Sequence, residues 1–295
     1  MKDRGTPALE RRLGDWARAR MSRHTAAFVM FVLKQGWAAL FGGLFLIAIV
    51  LTRAIWQPDW ALSRYDALFL FAVLTQAVFL WLRLEDWAEA KVIALFHLTG
   101  TAMEVFKLAQ GSWDYPESGL FEIAGVPLFS GFMYASVGSY MARVIRIFHM
   151  RFAPYPPFWA TVLLAVAIYA NFFTHHWLPD MRLGLFAATV LLFGRTRIWF
   201  FPGDHAYWMP LPLAAFLSAF FLWIAENVGT LTRTWVYAGQ GHFDLVTWGK
   251  FGSWYLLLYV SFVTVTLAAP GAVIGARRPD IDDAANPIAE PQRQG

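Results

Sequence analysis

Long apolar stretches recur along this chain between short polar breaks, and no other feature of the sequence constrains its fold as strongly. Each stretch is about 17 to 25 residues long, the length that an α-helix needs to cross a hydrocarbon core about 30 Å thick. There are eight of them, at 35–52, 66–82, 87–108, 126–148, 158–177, 183–200, 210–231 and 248–269. Because 58% of the residues are hydrophobic and only 15% are charged, against about 25% charged in soluble domains, the sequence predicts an all-α, polytopic membrane protein with about eight transmembrane helices.

The orientation of these spans follows from the basic residues, since Lys and Arg concentrate in cytoplasmic loops. With the N-terminus inside, alternation leaves seventeen basic residues on the cytoplasmic side: Lys2, Arg4, Arg11, Arg12, Arg18, Arg20, Arg23, Arg83, Lys91, Arg143, Arg146, Arg151, Arg195, Arg197, Arg277, Arg278 and Arg293. Six fall outside: Arg53, Arg64, Lys107, Arg182, Arg233 and Lys250. A seven-span alternative omits the third stretch, which is the most polar, and moves the cluster at 143–151 outside. Eight spans with both termini cytoplasmic is therefore the better interpretation.

Two segments flank the predicted transmembrane domain, which covers residues 25–270. Residues 1–24 are basic, and Leu9, Leu13 and Trp16 recur at helical spacing, as in a helix that lies on an anionic membrane surface. The alternative is a topology signal alone. Residues 271–295 are rich in Asp, Pro, Ala and Gln and have too little apolar surface to fold. We expect them to form a disordered cytoplasmic tail.

A spaced motif occurs twice and suggests an internal repeat. Both copies read Glu-x8-Trp-x-Tyr, with Glu104, Trp113 and Tyr115 in the first and Glu226, Trp235 and Tyr237 in the second. All three pairs are separated by 122 residues, a shift that also carries the second, third and fourth spans onto the sixth, seventh and eighth. The shift covers an even number of spans. The sequence therefore predicts two parallel three-helix repeats, at about 66–148 and 183–269, joined by the fifth span.

The two glutamates of this motif are the leading candidate site residues, because a carboxyl group inside a transmembrane helix is costly and is by default functional. His97 and Glu104 lie on one face of the third span, which should face the interior of the bundle. The alternative is structural, with each glutamate paired to Lys107, Arg233, Asn227 or a loop amide. The four aromatic residues of the motif either anchor the protein at the membrane interface or line a site in which they stabilise a cation.

Neither a metal nor a cofactor is predicted. The chain has no cysteine, which excludes thiolate metal sites and thiol catalysis. His175 and His176 lie near Asp180 at the end of the fifth span, but adjacent helical residues diverge by about 100°, so the two rings make a poor chelate. His97 is the one deep histidine, and it has no visible partner for a haem. The basic N-terminus alone gives no argument for nucleic acid binding.

Five strings between about residues 35 and 267 are long enough to be specific: HLTGTAMEVFKLAQGSWDYPE, GVPLFSGFMYASVGSY, NFFTHH, AENVGTLTRTWVY and KFGSWYLLLYVSF. They resemble the uncharacterised YoaT-like family of bacterial membrane proteins. This resemblance implies a multi-pass protein of the bacterial plasma membrane, without an assigned reaction.

The turn Gly125-Val126-Pro127-Leu128, which follows the first Trp-x-Tyr loop, carries a second and more distant resemblance. It is similar to a turn in the membrane lycopene cyclases and carotenoid hydratases, which also use duplicated three-helix units. In the cyclases a pair of acidic residues follows this turn, whereas this chain has Phe129 and Ser130. The acids implied by that family are therefore absent from their usual place.

These features favour a membrane enzyme that acts on an isoprenoid-like lipid. Glu104 or Glu226 would protonate a double bond, and the four rings of the motif would stabilise the carbocation. His97 or His175 would relay protons, and Asn227 would contact the substrate. The expected partners are membrane lipids and a hydrophobic small molecule, and the oligomeric state is open.

Two other classes of function remain open. A duplicated bundle also fits a transporter or small-molecule binder with its site between the repeats. The same residues fit a structural or partner-binding membrane protein in which the glutamates hold helices together.

Overall fold

A computed structural model describes residues 7–268 and Val273, apart from Asp86, Asp204 and His242. In this part of the chain the backbone forms ten helices and seven short strands. The helices are α1 (Pro7–Arg20), α2 (Arg23–Ala38), α3 (Leu40–Ile55), α4 (Arg64–Trp81), α5 (Trp87–Ala109), α6 (Phe129–Ile147), α7 (Phe158–Thr174), α8 (Arg182–Phe193), α9 (Leu211–Leu231) and α10 (Trp248–Ala268). The strands are β1 (Trp113–Asp114), β2 (Glu122–Ile123), β3 (Val126–Pro127), β4 (Arg151–Ala153), β5 (Arg197–Phe200), β6 (Tyr207–Pro210) and β7 (Val236–Tyr237). The protein is mostly helical, as predicted, and short strands of two to four residues join some of the helices.

Four of the helices are long and apolar enough to cross a membrane: α4, the part of α5 from Glu89 to Ala109, α9 and α10. A fifth span results if α2 and α3, which meet at a bend of 65°, count as one. These apolar helices indicate a membrane protein. Each of the eight predicted stretches overlaps a helix, but length and composition support four or five spans, so the count of eight is not confirmed.

Two of the predicted stretches differ from the helices that form. In the first, 35–52, the helix breaks at Ala39, between α2 and α3. In the sixth, 183–200, α8 ends at Phe193 and the last four residues form β5. The 12 residues of α8 rise only about 18 Å at about 1.5 Å per residue, less than the thickness of the hydrocarbon core. Apolar content alone does not distinguish a buried strand from a buried stretch of helix, which explains the error.

Short strands connect the ends of helices in two places. After α5 and α9, β1 pairs antiparallel with β7, with Trp113 opposite Tyr237, and we call this the paired-strand end. After α6 and α8 and before α9, β4, β5 and β6 form a sheet in that order, and we call this the sheet end. The buried Lys34 of α2 donates to the carbonyls of Ile147 and Phe201 there. Helix α9 therefore runs from the sheet end to the paired-strand end.

The segments that flank the predicted transmembrane domain are described in part. Helix α1 covers most of the predicted surface segment, and its Leu13 and Trp16 are exposed. That this helix lies on a membrane surface stays a prediction. Residues 1–6, and the predicted tail at 271–295 apart from Val273, lie outside the described residues.

The buried apolar side chains form two clusters. One lies among α3, α4 and the start of α6 and includes Phe45 and Phe129. The other lies among α6 to α10 and includes Phe193 and Tyr259. Both clusters contribute to the lining of one large cavity, so the cavity lies between the two halves of the core.

Helices α5 and α6 approach each other closely through glycines. A Cβ atom on Gly100 of α5 would collide with the ring of Tyr134, and one on Gly138 of α6 would collide with the ring of Phe96. In a membrane, where lipid tails are as apolar as the helices, small residues allow the close packing that holds helices together. This approach fixes Tyr134 against α5, one turn from Glu104.

A buried ion pair ties α6 to the segment between α4 and α5. A guanidinium nitrogen of Arg143 lies 2.5 Å from Oε1 of Glu85, and both side chains are 1% exposed. Ser139 donates to the same oxygen at 2.8 Å, and Gln76 donates to the other oxygen of Glu85. Two charges are tolerated here because each has its counterion and further hydrogen bonds.

We expect Glu85→Gln to lower the free energy of unfolding by about 3 to 5 kcal/mol, because it leaves the buried Arg143 without its anion. Glu89→Gln is the comparison and should cost less, because Glu89 is also buried, with a side chain 9% exposed, but its partner Arg146 is 46% exposed and stays solvated when the anion is removed. Replacing both members, as in Glu85→Leu/Arg143→Met, should recover much of the loss. Unfolding in detergent measures all three variants, and equal losses in the two single variants would contradict the buried pair.

Candidate functional site

Both copies of the Glu-x8-Trp-x-Tyr motif run from the last turns of a helix into a tight turn. In each turn one residue has positive φ, 64° at Gly111 and 52° at Arg233. The amide of the next residue donates to the carbonyl five residues earlier, at 3.0 Å in the first copy and 2.9 Å in the second. This is the hydrogen bond of a Schellman helix terminus. The turn reverses the chain, so that Trp113 and Trp235 fold back over the helices that carry the glutamates.

Glu104 is 2% exposed and accepts three hydrogen bonds from aromatic side chains. Its Oε2 accepts from Nε1 of Trp113 and from the hydroxyl of Tyr115, both at 2.7 Å. Its Oε1 accepts from the hydroxyl of Tyr134, on α6, at 2.6 Å. The sequence left open that Glu104 pairs with Lys107. In the structure its partners are three ring donors.

Glu226 is 6% exposed and has the same kind of environment. Its Oε1 accepts from Nε1 of Trp235 at 2.9 Å and from the hydroxyl of Tyr237. Its Oε2 accepts from Nε1 of Trp254, on α10, at 2.9 Å. The two glutamates therefore differ in the third donor, which is a phenol at Glu104 and an indole at Glu226.

The two sets of rings touch each other. Trp113 and Tyr237 have ring centroids 5.9 Å apart and are nearly perpendicular, at 88°. Tyr134 and Trp254 have ring centroids 6.0 Å apart. The Nζ atom of Lys250 lies 3.9 Å from the ring centroid of Tyr237 and 4.9 Å from that of Trp113. We call the two glutamates and their six ring donors the double-glutamate cluster.

The double-glutamate cluster lies at one end of a cavity of about 1090 Å³. Both glutamates and all six donors line this cavity, as do Lys107, His175 and Lys250. From the cluster the cavity continues along α3, α6, α9 and α10 to the sheet end, where Phe152 and Ile198 line it. A concave space of this size, mostly apolar with a few converging polar groups, is typical of a ligand site.

His175 and His176 lie beside Lys107 at the paired-strand end. Nζ of Lys107 is 2.8 Å from Nε2 of His176 and 3.5 Å from Nε2 of His175. An ammonium group can only donate, so the ring nitrogen of His176 accepts this hydrogen bond. Within the described part of the chain, no three His, Cys, Asp or Glu side chains form a group that could hold a metal ion.

The hydroxyl groups of the cluster are held in their protonated form. Burial raises the pKa of Tyr115 and of Tyr237 well above the ordinary value, and the adjacent glutamate carboxylates raise it further. An indole N–H can only donate. The cluster therefore presents hydrogen bond donors to both carboxyl groups over the ordinary range of pH.

Seven of the nine predicted site residues line the cavity: Glu104, Trp113, Tyr115, His175, Glu226, Trp235 and Tyr237. The other two, His97 and Asn227, lie apart from it. The ring of His97 packs against Phe132, with centroids 4.4 Å apart, and is not among the residues that line the cavity. Asn227 ties α9 to the loop before α10, because its Nδ2 donates to the carbonyl of Trp223 at 2.7 Å and its Oδ1 accepts from the amide of Val246 at 2.9 Å. Neither His97 nor Asn227 reaches the glutamates.

Tyr134, Trp254 and Lys250 complete the site, and the sequence reasoning missed them. The two ring donors lie 30 and 28 residues after their glutamates, so a search for pairs at a constant separation passes over them. Lys250 lies near the start of α10, far along the chain from the ring of Trp113 that it contacts. The sequence did contain a clue to the two ring donors, because the helix that follows each motif carries aromatic residues.

Apolar helices around a ligand-sized cavity with two buried glutamates define a helical membrane protein with an internal site. A family model described as "Protein of unknown function (DUF817)" matches residues 27–262. The chain is also 43% identical over 238 residues to "Uncharacterized protein YoaT" of Bacillus subtilis (strain 168), which covers 80% of this chain and 89% of that protein. The chain therefore belongs to the DUF817 family.

These comparisons confirm the resemblance to the YoaT-like family. No solved structure matches the chain. Neither match bears on the more distant similarity to lycopene cyclases and carotenoid hydratases, which stays a prediction.

We expect Gly229→Ala to disrupt the cluster around Glu226. A Cβ atom on Gly229 would collide with the ring of Trp235, so the indole must move away from its acceptor. Overpacking of this kind costs about 1 to 3 kcal/mol, which a lower thermal midpoint in detergent and a changed near-UV circular dichroism would report. Gly184→Ala is the matched control, because nothing lies within 4 Å of its Cβ position. If the two variants behave alike, the close approach of Trp235 is wrong.

Proposed function

We propose that this chain is an eight-span protein of the bacterial plasma membrane that binds an amphipathic, isoprenoid-like lipid in its cavity and acts on it. The observation that carries the proposal is the division of the cavity, which is polar and ring-lined around the double-glutamate cluster and apolar over the rest of its length. A lipid with one polar end and one long chain has the same division. Its polar end would lie at the paired-strand end, and its chain would extend toward the sheet end.

The match between the two halves supports the repeat and the eight-span topology. A shift of 122 residues places α5 on α9 and places α6 close to α10. The two motifs make equivalent hydrogen bonds to their glutamates. Two parallel three-helix repeats joined by α7 would account for both findings.

The contacts of the basic residues support an orientation with both termini in the cytoplasm. Arg151 lies in β4, so the sheet end would face the cytoplasm. Several cations that this orientation leaves outside have local partners at the paired-strand end. Arg64 pairs with Glu117 at 2.8 Å, and Arg182 pairs with Asp180 at 2.5 Å. Local ion pairs therefore explain why these residues are kept outside.

The leading reaction is the protonation of a double bond. Oε1 of Glu104 has a hydroxyl partner, Tyr134, and a hydroxyl can accept as well as donate, so this oxygen can carry a proton. Transfer of that proton to an alkene carbon leaves Glu104 as a carboxylate and a positive charge on the neighbouring carbon. The other two rings of the motif, Tyr115 and Trp235, would stabilise this cation, because the ammonium group of Lys250 already lies over Trp113 and Tyr237. Glu226, with an indole on each oxygen, would lie near it. The cation then returns a proton to the Glu104 carboxylate, either from a neighbouring carbon, which forms a new double bond, or from a water molecule that has added to the cation, which forms an alcohol.

Transport is a second candidate, favoured by one observation. The cavity is lined by the double-glutamate cluster at one end and by Phe152 and Ile198 at the other, so it extends along much of the bundle. A carrier with a site between two repeats would use such a path.

We expect two strains to show the same change in their lipids: one that lacks the gene, and one in which the gene encodes the double variant Glu104→Gln/Glu226→Gln. In both strains one isoprenoid-like lipid should accumulate and its product should disappear, because glutamine has no carboxyl proton to transfer. Quantitative lipidomics measures this change. Glu122→Gln, at an exposed position outside the cluster, is the matched control.

Three outcomes separate the candidate functions. Lipids that are unchanged in both the deletion and the double variant would exclude the enzyme. A lipid that keeps its structure but changes its distribution between the two leaflets would favour transport. A loss of protein from the membrane without either change would favour a structural role.

A further inference from the structure

Three cationic side chains from three helices converge where the cavity meets the paired-strand end. Lys107 belongs to the last turns of α5, Arg182 begins α8, and Lys250 belongs to the first turn of α10. All three line the cavity, and Lys107 is only 3% exposed. The reaction proposed above uses none of them.

The groups at contact distance from the two lysines are imidazole and aromatic rings. Nζ of Lys107 contacts the two imidazoles described above and lies 4.3 Å from the ring centroid of Phe172. Nζ of Lys250 lies over the rings of Tyr237 and Trp113. Within the described residues, neither ammonium group forms an ion pair with a carboxylate.

Three carboxylates face the same region, but other donors hold them. Glu104 and Glu226 have ring donors on both oxygens. Oδ2 of Asp180 accepts from Nε of Arg182 at 2.6 Å, and its Oδ1 accepts from Asn171 at 3.3 Å. The lysine ammonium groups therefore lack a bound counterion, and a buried charge without one is costly. An anion that enters the cavity would supply it.

We infer that Lys107, Lys250 and Arg182 bind the phosphate group of the lipid, so that the substrate class is an isoprenoid-like lipid phosphate. This inference rests on the proposed function and adds the chemistry of the polar end. A phosphate monoester carries about −1.5 to −2 charges and three acceptor oxygens, which can meet cations that arrive from three helices. A carboxylate has two oxygens in one plane and suits a single cation better. With the phosphate here, the chain enters the apolar part of the cavity and its first double bond lies near the double-glutamate cluster.

The test compares three probes by titration calorimetry on the purified full chain in detergent: farnesyl phosphate, farnesol and inorganic phosphate. The first two share one chain, so the difference between them reports the phosphate group. We expect farnesyl phosphate to bind at least about tenfold more tightly than farnesol. Lys107→Gln and Lys250→Gln should each remove this difference, whereas Lys91→Gln, at an exposed position away from the cavity, should retain it. Lys107→Arg and Lys250→Arg keep the charge and should also retain it.

Each failure has a separate meaning. Equal affinity of the wild-type protein for farnesyl phosphate and farnesol overturns the phosphate site and leaves the lipid cavity in place. Inorganic phosphate that binds as tightly as farnesyl phosphate and displaces it overturns a lipid as the source of the phosphate. If neither farnesyl probe binds to the wild type, the proposed function itself fails. The wild-type comparison decides the question even if a glutamine variant does not fold.

Discussion

Two buried carboxyl groups, each held by three aromatic donors, organise one end of this protein. A carboxyl group among apolar helices must find its hydrogen bonds within the protein, because neither water nor lipid supplies them. Here a Schellman turn after α5 and another after α9 fold a tryptophan and a tyrosine back over each glutamate. Trp113 and Tyr237 are also opposite each other in β1 and β7. The rings that satisfy one glutamate therefore position those that satisfy the other, and ring contacts pack the two hydrogen-bonded sets into one unit.

This unit also determines what the cavity can hold. Its donors point at the glutamates and its rings line the cavity, and the Lys250 ammonium lies over two of those rings. A cation formed on a bound lipid would meet the remaining rings of the cluster. The lysines beside the cluster have imidazoles and rings for neighbours, which leaves room for an anion. One end of the cavity thus offers separate positions for a developing positive charge and for a fixed negative one.

Much of this arrangement could be predicted from the sequence, and the parts that could not have physical causes. The motif spacing singled out the glutamates and the four rings, but not the hydrogen bonds between them, which depend on the turn that reverses the chain after each helix. Tyr134 and Trp254 come from other helices, and their separations from their glutamates, 30 and 28 residues, give no constant spacing. His97 shares a helix face with Glu104, but it lies two turns deeper, where Gly131 lets α6 pack directly over it. Apolar length predicted where helices occur and could not predict that Ala39 breaks one and that β5 shortens another.

The most direct test of the account is the identity of the molecule that occupies the cavity when the protein is extracted from its own membrane. The account predicts that mild detergent extraction followed by mass spectrometry finds a single-chain lipid bound to the wild-type protein. Ala215→Trp, which fills the lining of the cavity, should reduce the bound lipid about tenfold, a loss of about 1.4 kcal/mol of binding free energy. Leu191→Trp, on a side chain that is 85% exposed, should retain it. Equal lipid content in the two tryptophan variants, or a wild-type protein that carries only bulk phospholipid, would contradict the account.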